Sequence, residues 1–238
     1  MLDNDELYTE MWISLRDTGQ WRGELWNRSK LGQLYACRLN ISAICNERGK
    51  VTHYLSLQAD ITAAKVYQER LEKNANYDDL TGLPNRVLLL DRLHQAMAQA
   101  QRTGLLLGIC YLDLDGFKAI NDSYGHATGD QALVEVARRM GRSVRAGDTV
   151  ARVGGDEFVI LLWGLGDKKE CDYTLSRVVS DVSAITSLGG FEVALTVSIG
   201  VTLFPQDGTE IDTLMAQADS AMYRSKMAGG SGWRYFRT

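Results

Sequence analysis

The chain has 238 residues, 45% hydrophobic and 24% charged, enough to bury one substantial core and a smaller second unit. A net charge of −4 and a pI near 5.5 give no basic footprint for nucleic acid or an anionic membrane surface, so any phosphate is bound locally. Apolar runs such as Leu105 to Leu112 fall far short of the roughly 18 residues of a bilayer span, which argues against direct membrane insertion, and the acidic opening MLDNDELYTE does not read as a secretory leader.

In chain order, Glu6 to Arg16 reads as a helix. WRGELWNRSK, LYACRLNISAI and VTHYLSLQAD between Trp21 and Asp60 then read as three strands separated by polar breaks. That is a thin core for about 60 residues, and the strand edges it leaves open are able to pair with another copy. From Ile61 to Tyr77 the pattern turns helical: Ile61, Ala64, Gln68, Leu71 and Ala75 alternate spacings of three and four. This suits either a connector with a pairing seam or a solvated linker helix.

Beyond Asp78 the chain alternates between helix and strand. The pattern predicts a helix at Arg86 to Arg102, a buried strand at Leu105 to Leu112, helices at Gly116 to Tyr124 and Asp130 to Arg142, and a hairpin at Thr149 to Trp163. A helix at Lys168 to Ser187, a strand pair around FEVALTVSIGVTLF and a helix at Glu210 to Met227 complete it. The fold class is α/β or α+β, with a mixed, partly antiparallel central sheet flanked by helices. Cys37, Cys45, Cys110 and Cys171 show no CxxC spacing and read as buried reduced thiols of a cytoplasmic protein, whether or not a longer chain is tethered to a membrane. No cluster of His and Cys suggests zinc.

Chemistry enters at LLLGICYLDLDGFKAIND, where an apolar strand runs into Asp113 and Asp115. A carboxylate at the end of a buried strand is partly desolvated, which costs stability unless a cation or donor offsets it. RVGGDEFVILLW then puts Gly154 and Gly155, free to adopt positive φ, at a hairpin tip beside Asp156 and Glu157. If the two strands are neighbours, Asp113 and Asp156 converge. Acids that converge with no basic partner nearby in sequence suit hard divalent cations held together with substrate phosphates, magnesium above all. Asp115 and Asp122 read as surface turn or cap residues, and Asp78 and Arg86 as a pair across a turn pinned by Gly82 and Pro84.

The segments YDDLTGLPNR, YLDLDGFKAINDSYGHATGD and RVGGDEF occur in that order, and through them the chain resembles the GGDEF family of diguanylate cyclases over Asn76 to Phe236. The resemblance implies a palm-like sheet similar to that of adenylyl cyclases and some polymerases. The implied reaction condenses two GTP into cyclic di-GMP and releases two pyrophosphates. By the same resemblance, Asp113 and Asp156 would hold two magnesium (or manganese) ions with the backbone carbonyl of Leu114, and Glu157 would support them. Asp156 would accept the proton of the attacking 3′-hydroxyl within the catalytic turn of Gly154 and Gly155. Asn121 and Asp130 match the guanine readers, since an amide and a carboxylate suit an edge that presents amino and imino protons. Phe117, Lys118 and His126 share their motif, and Lys118 and Lys226 are candidates to neutralise phosphate oxygens.

One small site holding one nucleotide cannot close a ring with two identical linkages, so the reading requires a two-fold homodimer. The helix from Ile61 to Tyr77 would set the spacing of its subunits. Arg145 and Asp148, with five residues between Asp148 and Gly154, match the family's RxxD site for inhibition by cyclic di-GMP, and Arg177 is a second contributor. A solvated salt bridge at a helix end would read the same way.

Residues 1–61 are similar to the C-terminal part of a PAS sensory domain whose opening half is absent, so no PAS cofactor is assignable. Residues 62–76 are then the helical linker and 77–238 the GGDEF domain. One position departs from the family: its members usually end AKxxGRN, and here Gly230 stands where the arginine that touches triphosphate would be. The alternative reading is a GTP-binding regulatory module with little turnover, controlling an adjacent phosphodiesterase domain or another effector.

Overall fold

The computed structural model describes residues 5–184, 186–188 and 191–237, and the chain divides into two compact units, Met1–Lys73 and Asn74–Thr238. In the first, helix α1 (Asp5–Thr18) precedes strands β1 (Gln20–Arg28), β2 (Leu34–Cys45) and β3 (Val51–Asp60), and helix α2 (Thr62–Asn76) leads out of it. The strands form an antiparallel meander in the order β1-β2-β3. Its core is as thin as the sequence suggests: among the described residues the buried apolar side chains are Met11 and Leu15 of α1 and Leu25, Ala36 and Cys37 of the sheet, whereas β3 is exposed along its whole length. Asp60 starts α2 by accepting from the Thr62 amide and hydroxyl, at 2.9 and 2.6 Å, the geometry of an N-terminal cap.

The second unit comprises α3 (Arg86–Thr103), β4 (Leu106–Asp115), α4 (Phe117–Tyr124), α5 (His126–Ser143), β5 (Thr149–Gly154), β6 (Glu157–Leu165) and α6 (Lys168–Ser183). β7 (Thr186–Leu188), β8 (Phe191–Val193), β9 (Thr196–Phe204), α7 (Ile211–Met227) and β10 (Gly232–Tyr235) follow. The five-stranded sheet has the order β10-β9-β4-β6-β5, antiparallel throughout except for the parallel pair of β10 with β9. It is therefore mixed, with helices on both faces.

β4 sits at its centre, and its alternation assigns the two cores. Leu107 and Ile109 pack with Leu89 and Leu93 of α3 and Leu214 of α7, while Cys110, Leu112 and Leu114 face Leu133 and Val136 of α5 and Leu175 of α6. The same period carries Tyr111, Asp113 and Asp115 out on the face of α3 and α7. Gly200 of β9 lets α7 lie directly on the sheet, because a Cβ there would collide with the Ala218 carbonyl and the Met222 amide. Among the described residues no helix is long and apolar enough to cross a membrane.

Several expectations are corrected. The helix expected to reach Ser187 ends at Ser183; residue 185 lies outside the described residues, and Thr186–Leu188 form a strand. The expected strand pair around FEVALTVSIGVTLF does not pair with itself: β8 joins β7, and β9 joins β4. Helix α5 begins at His126, four positions before Asp130. Cys45 is exposed, although Cys37, Cys110 and Cys171 are buried free thiols as expected.

Candidate active site

The β4–β6 register sets Asp113 directly opposite Glu157, and β5 and β6 are joined by the tight turn that carries Gly155, at φ +45°, and Asp156. Residues opposite one another in an antiparallel ladder face the same side, so Asp113 and Glu157 share the face of α3 and α7. The Leu114 amide donates to the Asp156 carbonyl at 3.3 Å, which ties the turn to the end of β4. The two acid-bearing segments expected to meet do meet.

Burial lifts the Asp113 carboxyl above the usual carboxylate range, and the charges of Asp156 and Asp115 add to that, outweighing the hydrogen bond from Lys226. Lys226 of α7 donates from Nζ to Asp113 Oδ1 at 2.6 Å. The acids have no basic partner nearby in sequence, but the fold brings one to Asp113 from a residue 113 positions away. Its ammonium is in turn held above its usual pKa by Asp113. Glu157 accepts from the Tyr111 hydroxyl at 3.1 Å, and burial followed by that negative neighbour pushes the tyrosine pKa up.

Asp115, expected as a surface turn or cap residue, is half-buried at the end of β4. Its carboxylate accepts from the Thr196 and Ser198 hydroxyls, both at 2.7 Å, and from the Ser231 amide at 3.1 Å. Gly230 sits at φ +70°, where a Cβ would lie 3.0 Å from Asp115 Oδ2. Residue 230 is therefore packed against an acid in a left-handed turn that disfavours any side chain, rather than being a normal backbone position lacking its arginine. Arg224 donates to the carbonyls of Tyr235 and Phe236, while Arg234 is exposed.

Sequence reasoning missed Arg152. Its guanidinium donates to the Gly155 carbonyl from Nε and Nη2, at 2.9 and 2.8 Å, and from Nη1 to both oxygens of Asp78, at 3.0 and 3.1 Å. Asp78 thus pairs with Arg152 and not with Arg86 as expected. Burial alone would raise Asp78, but donation by the Thr81 hydroxyl and amide and by Arg152 outweighs it and holds the carboxyl below its ordinary value. The available signal was an arginine two residues ahead of the glycine pair.

The expected nucleotide readers converge at the α4–α5 corner. The Asn121 amide oxygen lies against Gly129, where a Cβ would overlap it, next to Asp130 in the first turns of α5. Asp130, Lys118 and His126 are exposed, whereas Phe117 is buried beneath this corner, near Gly129, and acts as packing.

Arg145 and Asp148 form a self-braced turn: the Arg145 amide donates to Asp148 Oδ2 at 2.9 Å and the Asp148 amide to the Arg145 carbonyl at 3.0 Å. Burial raises the Asp148 carboxyl despite those bonds. Arg177 donates to the Ser143 carbonyl at 2.6 Å, at the end of α5 just before this turn. A cavity of about 330 Å³ lies alongside, lined by Asp148, Gly147, Arg92, Gln95 and Trp163, and its lining includes none of the acids at the β4 rim.

Among the described residues no cluster of three or more His, Cys, Asp or Glu side chains forms a complete metal cage. Magnesium asks for less, because it binds through one or two carboxylates plus substrate phosphates and keeps water in its shell, and Asp113 with the Asp156 turn tied to the end of β4 suits that requirement. Burial is the main cause of the raised Asp113 carboxyl, with the charges of Asp156 and Asp115 adding to it, and a cation at this rim would offset both.

Compared with known proteins, residues 75–232 match the family described as "Diguanylate cyclase, GGDEF domain". The bifunctional diguanylate cyclase/cyclic di-GMP phosphodiesterase MucR of Pseudomonas aeruginosa is 44% identical over 69% of this chain and 24% of its own length. The cyclic di-GMP phosphodiesterase PdeR of Escherichia coli is 36% identical over 71% of this chain and 25% of its own. The chain spans about a quarter of the length of these curated relatives. Among solved structures, the GGDEF domain of TpbB from P. aeruginosa superposes with a TM-score of 0.66 at 35% identity, covering 68% of this chain and 94% of that one. The coiled coil and GGDEF domain of DgcB from Caulobacter crescentus, in complex with c-di-GMP, gives 0.65 at 30%, covering 74% and 93%.

Proposed function

The chain belongs to the GGDEF family of diguanylate cyclases, and from that premise we propose that it condenses two GTP into cyclic di-GMP as a two-fold homodimer. The observation that carries the reading is the pairing of Asp113 with Glu157 across β4 and β6, with the Asp156 turn tied to β4 beside them. Asp113, Asp156 and the Leu114 carbonyl would hold magnesium, with Glu157 steadied by Tyr111 at their side. When bound, the metal lowers the pKa of the attacking 3′-hydroxyl and neutralises the departing pyrophosphate.

The protein's own contribution is positioning. Arg152 fixes the carbonyl of Gly155 and so the direction in which Asp156 points to take the hydroxyl proton. Asn121, held against Gly129, and Asp130 would read the guanine edge; adenine lacks the amino and imino donor pair they recognise, which selects GTP over ATP. Lys118 and Lys226 would meet phosphate oxygens. Because each copy supplies one nucleotide, each 3′-hydroxyl must reach the α-phosphorus held by the other copy. The braced turn of Arg145 and Asp148, with Arg177 behind it, supports a site for inhibition by cyclic di-GMP. The helix and three-stranded meander of the first unit are consistent with the closing part of a PAS domain.

A second reading, a GTP-binding regulatory module with little turnover, draws on Gly230, whose left-handed turn beside Asp115 offers no arginine to the triphosphate. Incubation with GTP and magnesium, followed by chromatography, separates the two. Cyclic di-GMP that disappears in Asp156→Ala supports the cyclase; GTP binding without product at high protein concentration supports the module.

A further inference from the structure

We propose that Lys226 is an exchangeable internal counter-ion: its ammonium holds Asp113 until a divalent cation displaces it, and then takes a nucleotide phosphate, so that cation and nucleotide strengthen each other's binding. This rests on the reading of Asp113 as a cation ligand given above. The contact is direct, 2.6 Å from Nζ to Oδ1, between an acid side chain 13% exposed and a lysine side chain 42% exposed. The acid is thus fixed in the rim, while the long lysine stem keeps the freedom to swing its head into solvent. Asp115, the other acid on the same face of β4, is already occupied by Thr196, Ser198 and the Ser231 amide. A displaced Lys226 is therefore steered toward a new anion rather than to this neighbour.

The ammonium occupies Oδ1 of Asp113, and its positive charge repels a metal ion approaching the same carboxylate. Lys226 therefore opposes the cation when no nucleotide is present, and a nucleotide that engages the ammonium removes that opposition. Linkage makes the effect reciprocal.

The test is titration of the full chain with manganese, following the free ion by electron paramagnetic resonance, with and without α,β-methylene-GTP, which does not react. Lys226→Met is expected to bind manganese alone about fivefold more tightly than wild type, the scale of a half-exposed ion pair. The enhancement of manganese binding by nucleotide should be present in wild type and in Lys226→Arg, and shrink by a similar factor in Lys226→Met. Equal manganese affinity in wild type and Lys226→Met, with binding abolished in Asp113→Asn, overturns the exchange but leaves Asp113 a ligand. Absence of manganese binding in wild type even with nucleotide removes the cation reading, and the exchange with it.

Discussion

Arg152 carries two tasks on one planar group. Two of its nitrogens hold the Gly155 carbonyl and a third pairs with Asp78, and its side chain is only 13% exposed. Truncation to Arg152→Met leaves a half-buried carboxylate and a turn carbonyl without partners, a loss on the order of 2–3 kcal/mol, measurable by urea denaturation. The pH dependence follows from Asp78. Its folded pKa is lowered, so its contribution is complete above the unfolded value, about 3.9, and is lost as the pH falls through the lower folded one; Asp78→Asn should flatten the acid limb of stability below about pH 4.

Asp113 has the opposite sign. Its raised carboxyl binds a proton more tightly in the folded chain, so it opposes folding at neutral pH, and that opposition fades in acid. Without divalent ions Asp113→Asn should melt at or above the wild-type temperature at neutral pH, and with magnesium and GTP it should lose product formation; a clear drop in melting temperature would contradict this. Asp113 and the glycine pair could be read from the sequence because an acid after an apolar run and a Gly-Gly turn are local signals. Lys226 on Asp113 and Arg152 on Asp78 could not, since each joins positions separated by 113 and 74 residues.

At the scale of elements, the site depends on how closely α7 lies on β9. Gly200 permits that approach, and Gly200→Ala forces the Cβ into the helix backbone at Ala218 and Met222. Overpacking against backbone costs about 1–3 kcal/mol. It would also lift Lys226 away from Asp113, so a fall in unfolding free energy of that size, together with weakened nucleotide binding, is expected by chemical denaturation and titration calorimetry. Strand β4, the β5–β6 hairpin and helices α3 and α7 were legible because their apolar periods are long and unbroken. β10 was not, because four residues, Gly232 to Tyr235, are too few to display a period, and tertiary anchoring fixes them. The Trp233 indole and Tyr235 hydroxyl both donate to Asp172 Oδ1, at 2.9 and 2.8 Å. The end of α6 was missed for a related reason: Arg139 gathers the carbonyls of Asp181 and Ala184, a cap supplied from a distant helix.

For the whole molecule, the proposed chemistry asks more than one copy can deliver, because a ring with two identical linkages needs two nucleotides in opposed orientation. The initial rate of cyclic di-GMP formation should therefore rise faster than linearly with protein concentration in the dilute range and become linear once dimers saturate; strict proportionality down to the lowest concentration would indicate a monomeric catalyst. The mixed sheet and its helices could be anticipated from the alternation of periods, and the corner of Asn121 and Asp130 from its motif. What could not be anticipated was how fully the rim is already wired: Asp115 to β9 and the glycine turn, Glu157 to Tyr111, and Asp113 to Lys226. The most direct measurement is an anomalous difference map from crystals grown with manganese and α,β-methylene-GTP. The account predicts manganese within about 2.5 Å of carboxylate oxygens of Asp113 and Asp156 and of the nucleotide phosphates; a nucleotide bound with its phosphates away from both acids, and no manganese between them, would contradict it.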